Sequence, residues 1–193
     1  MIDPLYLFVF AGLFSPGPNV ILLTASGARF GFAATVPHLL GVAAGVGVTA
    51  GLTGFGLGEV LEAMPALTFA LKLVAAAWIL YLAWRLFQSS RMATAPSDAR
   101  PFTFVEAVLF QWVNPKVWAI AVAAAAAYPG GGTPVAEGLR LAAAFAGTNL
   151  FVCLFWTSAG HALTRVLARP AIWRVFMTVM ATALAISAVL VFA

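Results

Sequence analysis

Charge is what this sequence has least of. Only 8% of its 193 residues are Asp, Glu, Lys or Arg, whereas an ordinary soluble domain carries roughly 25%. A chain with so few charged side chains cannot cover a water-facing surface. The composition therefore excludes a soluble globular protein, and the mean hydropathy of +1.02 indicates that lipid is the solvent.

Cysteine and clustered acidic residues are also scarce. The one cysteine, Cys153, cannot form an internal disulfide or a thiol relay, so we interpret it as a small packing residue. No Asp or Glu falls near the middle of an apolar run, and we expect neither a metal site nor a cofactor. The net charge is +4, but no basic patch is interleaved with exposed aromatic residues, so no nucleic-acid partner is predicted.

Polar breaks divide the chain into six apolar runs. A membrane-spanning helix needs about 20 apolar residues, and each run is near that length. We therefore expect an all-α integral membrane protein with six spans, and a single transmembrane domain covering residues 1–193. The runs cover about residues 5–28, 36–58, 66–87, 102–128, 139–163 and 171–192.

One long polar stretch, residues 88–101, separates two halves of three spans each, residues 1–88 and 102–193. Basic residues concentrate in loops that stay in the cytoplasm. The loops after spans one, three and five carry most of them, which predicts that both termini lie outside. Those residues are Arg29, Arg85, Arg91, Arg100, Arg165, Arg169 and Arg174, against Lys72 and Arg140 on the opposite side.

Asp3 stands where a secretory signal would carry a basic segment, so we expect the first span to be retained. The second span repeats glycines four residues apart. Small residues at this spacing let helix backbones approach closely, which favours tight packing inside the bundle. The same stripes would permit helix sliding, and would suit a homodimer without requiring one. The pairs are Gly41 with Gly45, Gly47 with Gly51, and Gly54 with Gly58.

Two spans carry proline in their interior. In span one Pro16 and Pro18 remove backbone donors, and in span four Pro115 does the same. The residue before each proline is driven out of helical geometry but suits a helix start. We therefore expect Ser15, Gly17 and Asn114 to act as N-caps where spans one and four break and restart. These positions lie about 10 residues into their spans, or about 15 Å, which is near the midplane.

The broken helices are the first of each three-span half, and an odd number of spans gives the halves opposite orientations. This pattern predicts a transporter built from two inverted repeats, with its site where the broken helices meet. Helix N-termini present unpaired N–H groups to anions, so we expect a carboxylate there, with Lys116 adding a positive charge. The alternative is that Lys116 snorkels or pairs structurally.

Other polar residues fall at similar depth. Asn19, Gln111 and Asn149 could hydrogen-bond a polar ligand or tie helices together. Glu106, His38 and His161 lie nearer the predicted cytoplasmic ends. Each could carry a coupling proton, and each could equally be an interfacial residue.

The paired motifs resemble those of the LysE/RhtB family of bacterial amino-acid exporters. The resemblance covers essentially the whole chain. It implies export of amino acids or close derivatives across the bacterial inner membrane, driven by the proton-motive force. Eight motif positions carry over, and Ser15 and Asn149 join them as candidate substrate-binding residues on the reasoning above. The eight are Pro16, Gly17, Pro18, Asn19, Gln111, Asn114, Pro115 and Lys116.

Two other classes of function fit parts of the sequence. In an intramembrane enzyme, Ser15 would be the nucleophile and His38 or His161 the base. The reach is poor, because the histidines lie near span ends while Ser15 lies at the midplane. In a non-transporting scaffold, the glycine faces would dock a partner, but the placement of Lys116 would stay unexplained.

Overall fold

The computed structural model describes residues 3–91 and 100–192. The middle of the predicted central loop, including Asp98, lies outside the described residues. Every regular element within these two ranges is helical, which confirms the predicted all-α class. The helices are α1 (Pro4–Phe14), α2 (Pro18–Phe30), α3 (Phe32–Leu52), α4 (Gly58–Ala63), α5 (Pro65–Arg91), α6 (Phe104–Trp112), α7 (Pro115–Ala127), α8 (Pro134–Ala162), α9 (Thr164–Leu167) and α10 (Pro170–Val189).

Four helical stretches among the described residues are long and apolar enough to cross a membrane, and two bent pairs bring the number to six if each pair is one span. The pairs are α1 with α2, bent by 60°, and α6 with α7, bent by 63°. These bends lie in the first and fourth predicted spans. The four continuous stretches are Phe32–Val60, Pro65–Ser90, Pro134–Ala162 and Pro170–Val189.

Two predicted boundaries are wrong. Helix α5 continues to Arg91, so the polar residues from Gln88 onward begin as helix and not as loop. The hydroxyls of Ser89 and Ser90 donate to carbonyls of their own helix at 2.6 Å, which lets both serines be buried there. The second predicted run ends at residue 58, but the chain kinks at Gly56 (φ 99°) within a π-helical turn, Thr53–Leu57, and continues as α4 to Ala63. The break expected between Glu59 and Pro65 is therefore present, at the end of α4.

Helices α3 and α8 pack along each other at the centre of the bundle, and α2 and α6 flank them. The main apolar core lies between these helices, α1 and α7. Helices α5 and α10 form a separate pair. That pair closes on the bundle through a second apolar cluster, which includes Ile21 of α2 and Phe110 of α6.

The glycine stripe of α3 is used inside this bundle. A Cβ on Gly45 would lie 2.7 Å from the Gln111 side chain of α6, and one on Gly47 would lie 2.8 Å from Ala146 of α8. Contacts this close leave no room for a side chain. The structure therefore confirms the packing interpretation, and these glycines do not form a free face for a second copy.

Candidate functional site

The break in span one is formed by two prolines and a serine that ends α1. The Ser15 hydroxyl donates to the carbonyl of Gly12 at 2.8 Å, which is the acceptor that Pro16 leaves without its helical donor. Ser15 is thus the C-cap of α1, and the expectation that it starts a helix is wrong. Gly17 is the N-cap of α2, with Pro18 in its first turn, as predicted.

The break in span four follows the predicted pattern. Asn114 is the N-cap of α7 and Pro115 occupies the first turn. The Asn114 backbone N–H donates to the carbonyl of Gln111 at 3.2 Å. This carbonyl would otherwise lack a donor, because Pro115 has no backbone N–H. The Asn114 side chain makes no capping bond. It donates to Gln111 Oε1 at 3.3 Å instead.

A reciprocal amide pair joins the two broken spans. Asn19 Nδ2 donates to Gln111 Oε1 at 2.8 Å, and Gln111 Nε2 donates to Asn19 Oδ1 at 3.2 Å. Gln111 is fully buried and also donates to the carbonyl of Ala107 at 2.9 Å. Buried amides need such partners, so this pair fixes α2 against α6 just beside both breaks.

Lys116 reaches across from the second half of the chain to the first. Its Nζ donates to the Ser15 carbonyl at 2.5 Å, to Ser15 Oγ at 2.9 Å and to the Pro16 carbonyl at 3.3 Å. The ammonium therefore lies at the C-terminal end of α1, where the helix dipole favours a cation. In this conformation Lys116 thus pairs with oxygens of the protein, which was the structural alternative to anion binding.

Gly17 leaves the space that the Lys116 side chain occupies. A Cβ on Gly17 would lie 2.7 Å from Lys116 Cδ and 2.9 Å from its Nζ. The backbone of Gly17 is extended, with φ −174°, a conformation open to any residue. Glycine is thus required here for space and not for backbone geometry.

A small cavity lies beside these contacts. It has room for about one water molecule. Two buried amide atoms in its lining residues, Asn114 Oδ1 and Asn149 Nδ2, have no hydrogen-bond partner among the described residues. The cavity is lined by Leu13, Gly17, Asn19, Val20, Asn114, Lys116, Val117 and Asn149.

The structure thus brings five predicted site residues to one cavity, from spans one, four and five. Ser15, Pro16 and Gln111 contact those residues, and Pro115 faces away toward a separate groove. Sequence reasoning missed the apolar lining residues Leu13, Val20 and Val117. Each stands near a proline break, but nothing in an apolar run distinguishes a lining residue from a core residue.

The three candidate proton carriers lie elsewhere. Glu106 pairs with Arg100 at 2.6 Å, raising the pKa of the Arg100 guanidinium, and completes a capping box with Thr103 at the start of α6. His161 is exposed at the end of α8. His38 is buried, and its Nδ1 has no hydrogen-bond partner in the described part of the chain.

Comparison with known proteins agrees with this architecture. The model of the LysE type translocator family matches residues 10–193. The "Cysteine/O-acetylserine efflux protein" of Escherichia coli K12 is 30% identical over 160 residues, which cover 78% of this chain and 77% of that protein. The protein of the same name from Salmonella typhimurium is 30% identical over 155 residues, with the same coverage of each chain. No solved structure gives a significant match.

The family match spans nearly the whole chain, so it confirms the resemblance read from the two proline motifs. It also confirms the prediction of a transporter and rules against the intramembrane enzyme. With its apolar helices and its two breaks meeting inside the bundle, the chain is a multi-pass membrane protein that belongs to the LysE type translocator family.

Proposed function

We propose that this protein exports small amino acids or their close derivatives from the cytoplasm, with the cavity at the two helix breaks as the substrate site. The observation that carries the proposal is that Lys116, Asn114 and Asn149 lie together where α1 ends and where α2 and α7 begin. The names of the relatives from Escherichia coli and Salmonella typhimurium support a small, polar amino-acid cargo.

An α-amino acid matches the charges at this site. Its carboxylate would take the unpaired N–H groups in the first turns of α2 and α7, together with the free amide of Asn149 and the Lys116 ammonium. Its own ammonium would replace that of Lys116 on the carbonyls of Ser15 and Pro16, at the negative end of α1. A zwitterion supplies both groups that this exchange requires.

Transport follows from opening the cavity to each side in turn. Because the cavity has room for only about one water molecule, this conformation is closed around the site, and a substrate enters only when the helices separate. We propose that residues 1–88 and 102–193 are inverted repeats that rock against each other, with both termini outside the cytoplasmic membrane. The contacts of Lys116 with Ser15 and of Asn19 with Gln111 would hold the halves in register.

We assign the coupling proton to His38. Its imidazole is buried, faces Phe102 at a ring distance of 5.1 Å, and lies on α3, which packs against α6 with its Glu106. Glu106 is exposed and already engaged by Arg100, and His161 is exposed. A buried group with a free nitrogen can change its proton state when the surrounding helices move.

The test is transport by the purified protein in liposomes, using labelled cysteine, O-acetylserine and a panel of other amino acids, with and without a pH gradient. We expect saturable flux of one substrate class, stimulated by the gradient. Lys116→Met should abolish that flux while the helical circular dichroism stays unchanged. Arg174→Met, which removes an exposed charge from α10, is the matched control. Flux retained in Lys116→Met would refute the site, and no flux of any amino acid by folded wild-type protein would refute the cargo.

A further inference from the structure

A second concave region lies on the other side of α7. It is a groove of about 530 Å³ between α5, α7 and the end of span two. Its walls are almost entirely apolar, and among the described residues that line it only Lys72 of α5 is charged. The lining includes Leu57, Leu71, Lys72, Trp112, Trp118 and Val122.

Helix α7 separates this groove from the candidate substrate site. Lys116 and Val117 line the substrate cavity, whereas Trp118, Ala119 and Val122 line the groove. These two sets occupy opposite faces of a helix with 3.6 residues per turn. An amino acid held at Lys116 therefore does not extend into the groove, and a molecule bound in the groove would be a different one.

The other member of the α5–α10 pair, α10, leaves no such groove against the bundle among the described residues. It packs against α2, and Leu184 and Ala188 cluster with Ile21. Between α5 and α7 the groove takes the place of such contacts, and Leu71 and Trp112 on its walls are 40% and 44% exposed. In a bilayer this opening faces acyl chains, since unfilled apolar space next to lipid has no physical reason to stay empty.

Lys72 indicates the charge of the molecule that would bind in the groove. Within residues 3–91 and 100–192 it has no ion-pair or hydrogen-bond partner. It lies seven positions after Pro65, so about 10 Å along a helix of about 40 Å. The helix is therefore about 10 Å longer than the roughly 30 Å hydrocarbon core. With this excess shared equally between its two ends, Lys72 lies about 5 Å inside the edge of the core. A lysine stem bridges that distance to the headgroup layer.

We propose that the groove binds one anionic phospholipid, with an acyl chain against Trp112 and Trp118 and the phosphate on the Lys72 ammonium. The charge of the headgroup complements the unpartnered cation, and the apolar walls complement the chain. A second copy of the protein is a poorer occupant, because a two-fold contact at this groove would bring two Lys72 side chains toward each other. The proposal is independent of the cargo.

Fluorescence quenching tests this assignment. The protein is reconstituted in vesicles that contain increasing fractions of phosphatidylglycerol or phosphatidylcholine with brominated acyl chains. The signal of Trp112 and Trp118 is isolated by subtracting that of the double variant Trp112→Phe/Trp118→Phe. One lysine near a headgroup favours an anionic lipid by about fivefold. The fraction of brominated phosphatidylglycerol that gives half-quenching should therefore be about one fifth of the fraction of brominated phosphatidylcholine that does so.

The variants give matched controls. Lys72→Gln should equalise the two lipids, and Lys72→Arg should keep the preference for phosphatidylglycerol. Equal quenching of the wild type by both lipids would overturn the proposal, because the groove would then hold only bulk lipid. Quenching by neither would also overturn it, and would indicate that protein covers the groove.

Discussion

The Lys116 ammonium lies 2.5 Å from the Ser15 carbonyl oxygen, although the two residues belong to different halves of the chain. The contact sets a full positive charge at the C-terminal end of α1. It also joins the two helix breaks, so any motion that separates the halves must first release it.

Gly17→Ala should displace the Lys116 side chain without unfolding the protein. The new Cβ would meet Lys116 Cδ at 2.7 Å, and the flexible end of a lysine moves more easily than backbone. Misplacement of a binding group by about 1 Å costs about 100-fold in rate, so we expect transport to fall by about 10- to 100-fold. Gly147→Ala, whose Cβ meets nothing within 4 Å, should transport like the wild type. Equal flux in the two variants would contradict the role of this contact.

The Asn19–Gln111 pair should show energetic coupling. Each alanine variant leaves the other amide without its partner, so the double variant should be less destabilised than the sum of the two. Interhelical hydrogen bonds in membranes contribute about 0.6 to 2 kcal/mol, and the coupling energy should fall in that range. Reversible unfolding in detergent–SDS mixtures measures it. Asn19→Ala combined with Ser187→Ala should be additive, because the Ser187 hydroxyl donates to the carbonyl of Leu184 in its own helix, α10.

Gly160→Ala should separate α8 from α2. Its Cβ would overlap the backbone carbonyl of Thr24, and a Cβ on Gly27 would overlap that of Thr157. Backbone on both sides cannot yield, so we expect destabilisation of about 3 kcal/mol and a lower unfolding midpoint. Gly147→Ala lies on the same helix in open space and should be neutral or slightly stabilising. A wild-type midpoint for Gly160→Ala would show that the crossing is looser than described.

His38→Gln should remove stimulation by the pH gradient while downhill exchange of substrate continues. Glutamine retains a polar side chain but carries no titrating proton. Glu106→Gln and His161→Gln should keep the stimulation, because both residues are exposed and Glu106 is committed to Arg100 and its helix cap. Flux with and without the gradient, measured for all three variants, decides the assignment. Loss of stimulation in Glu106→Gln alone would move it to that carboxylate.

Local chemistry explains why the breaks were predictable. Pro18 and Pro115 each remove a backbone donor and fix φ wherever they stand, so α2 and α7 start at these residues in the structure. Ser15 shows the limit of that reasoning. A serine before a proline suits a helix start, but its hydroxyl also reaches the carbonyl three residues back, and here it closes α1 instead.

The sequence by itself determined the membrane environment, the six apolar stretches and the two broken spans, because low charge, run length and proline act locally. Only the tertiary structure decided what the polar residues contact. Lys116 rests on Ser15, Asn19 pairs with Gln111, and Glu106 binds Arg100. Two of these three contacts join residues far apart in the chain. The glycine stripe of α3 predicted close helix packing, but it did not identify α6 and α8 as the partners, and only the folded bundle brings such distant residues together.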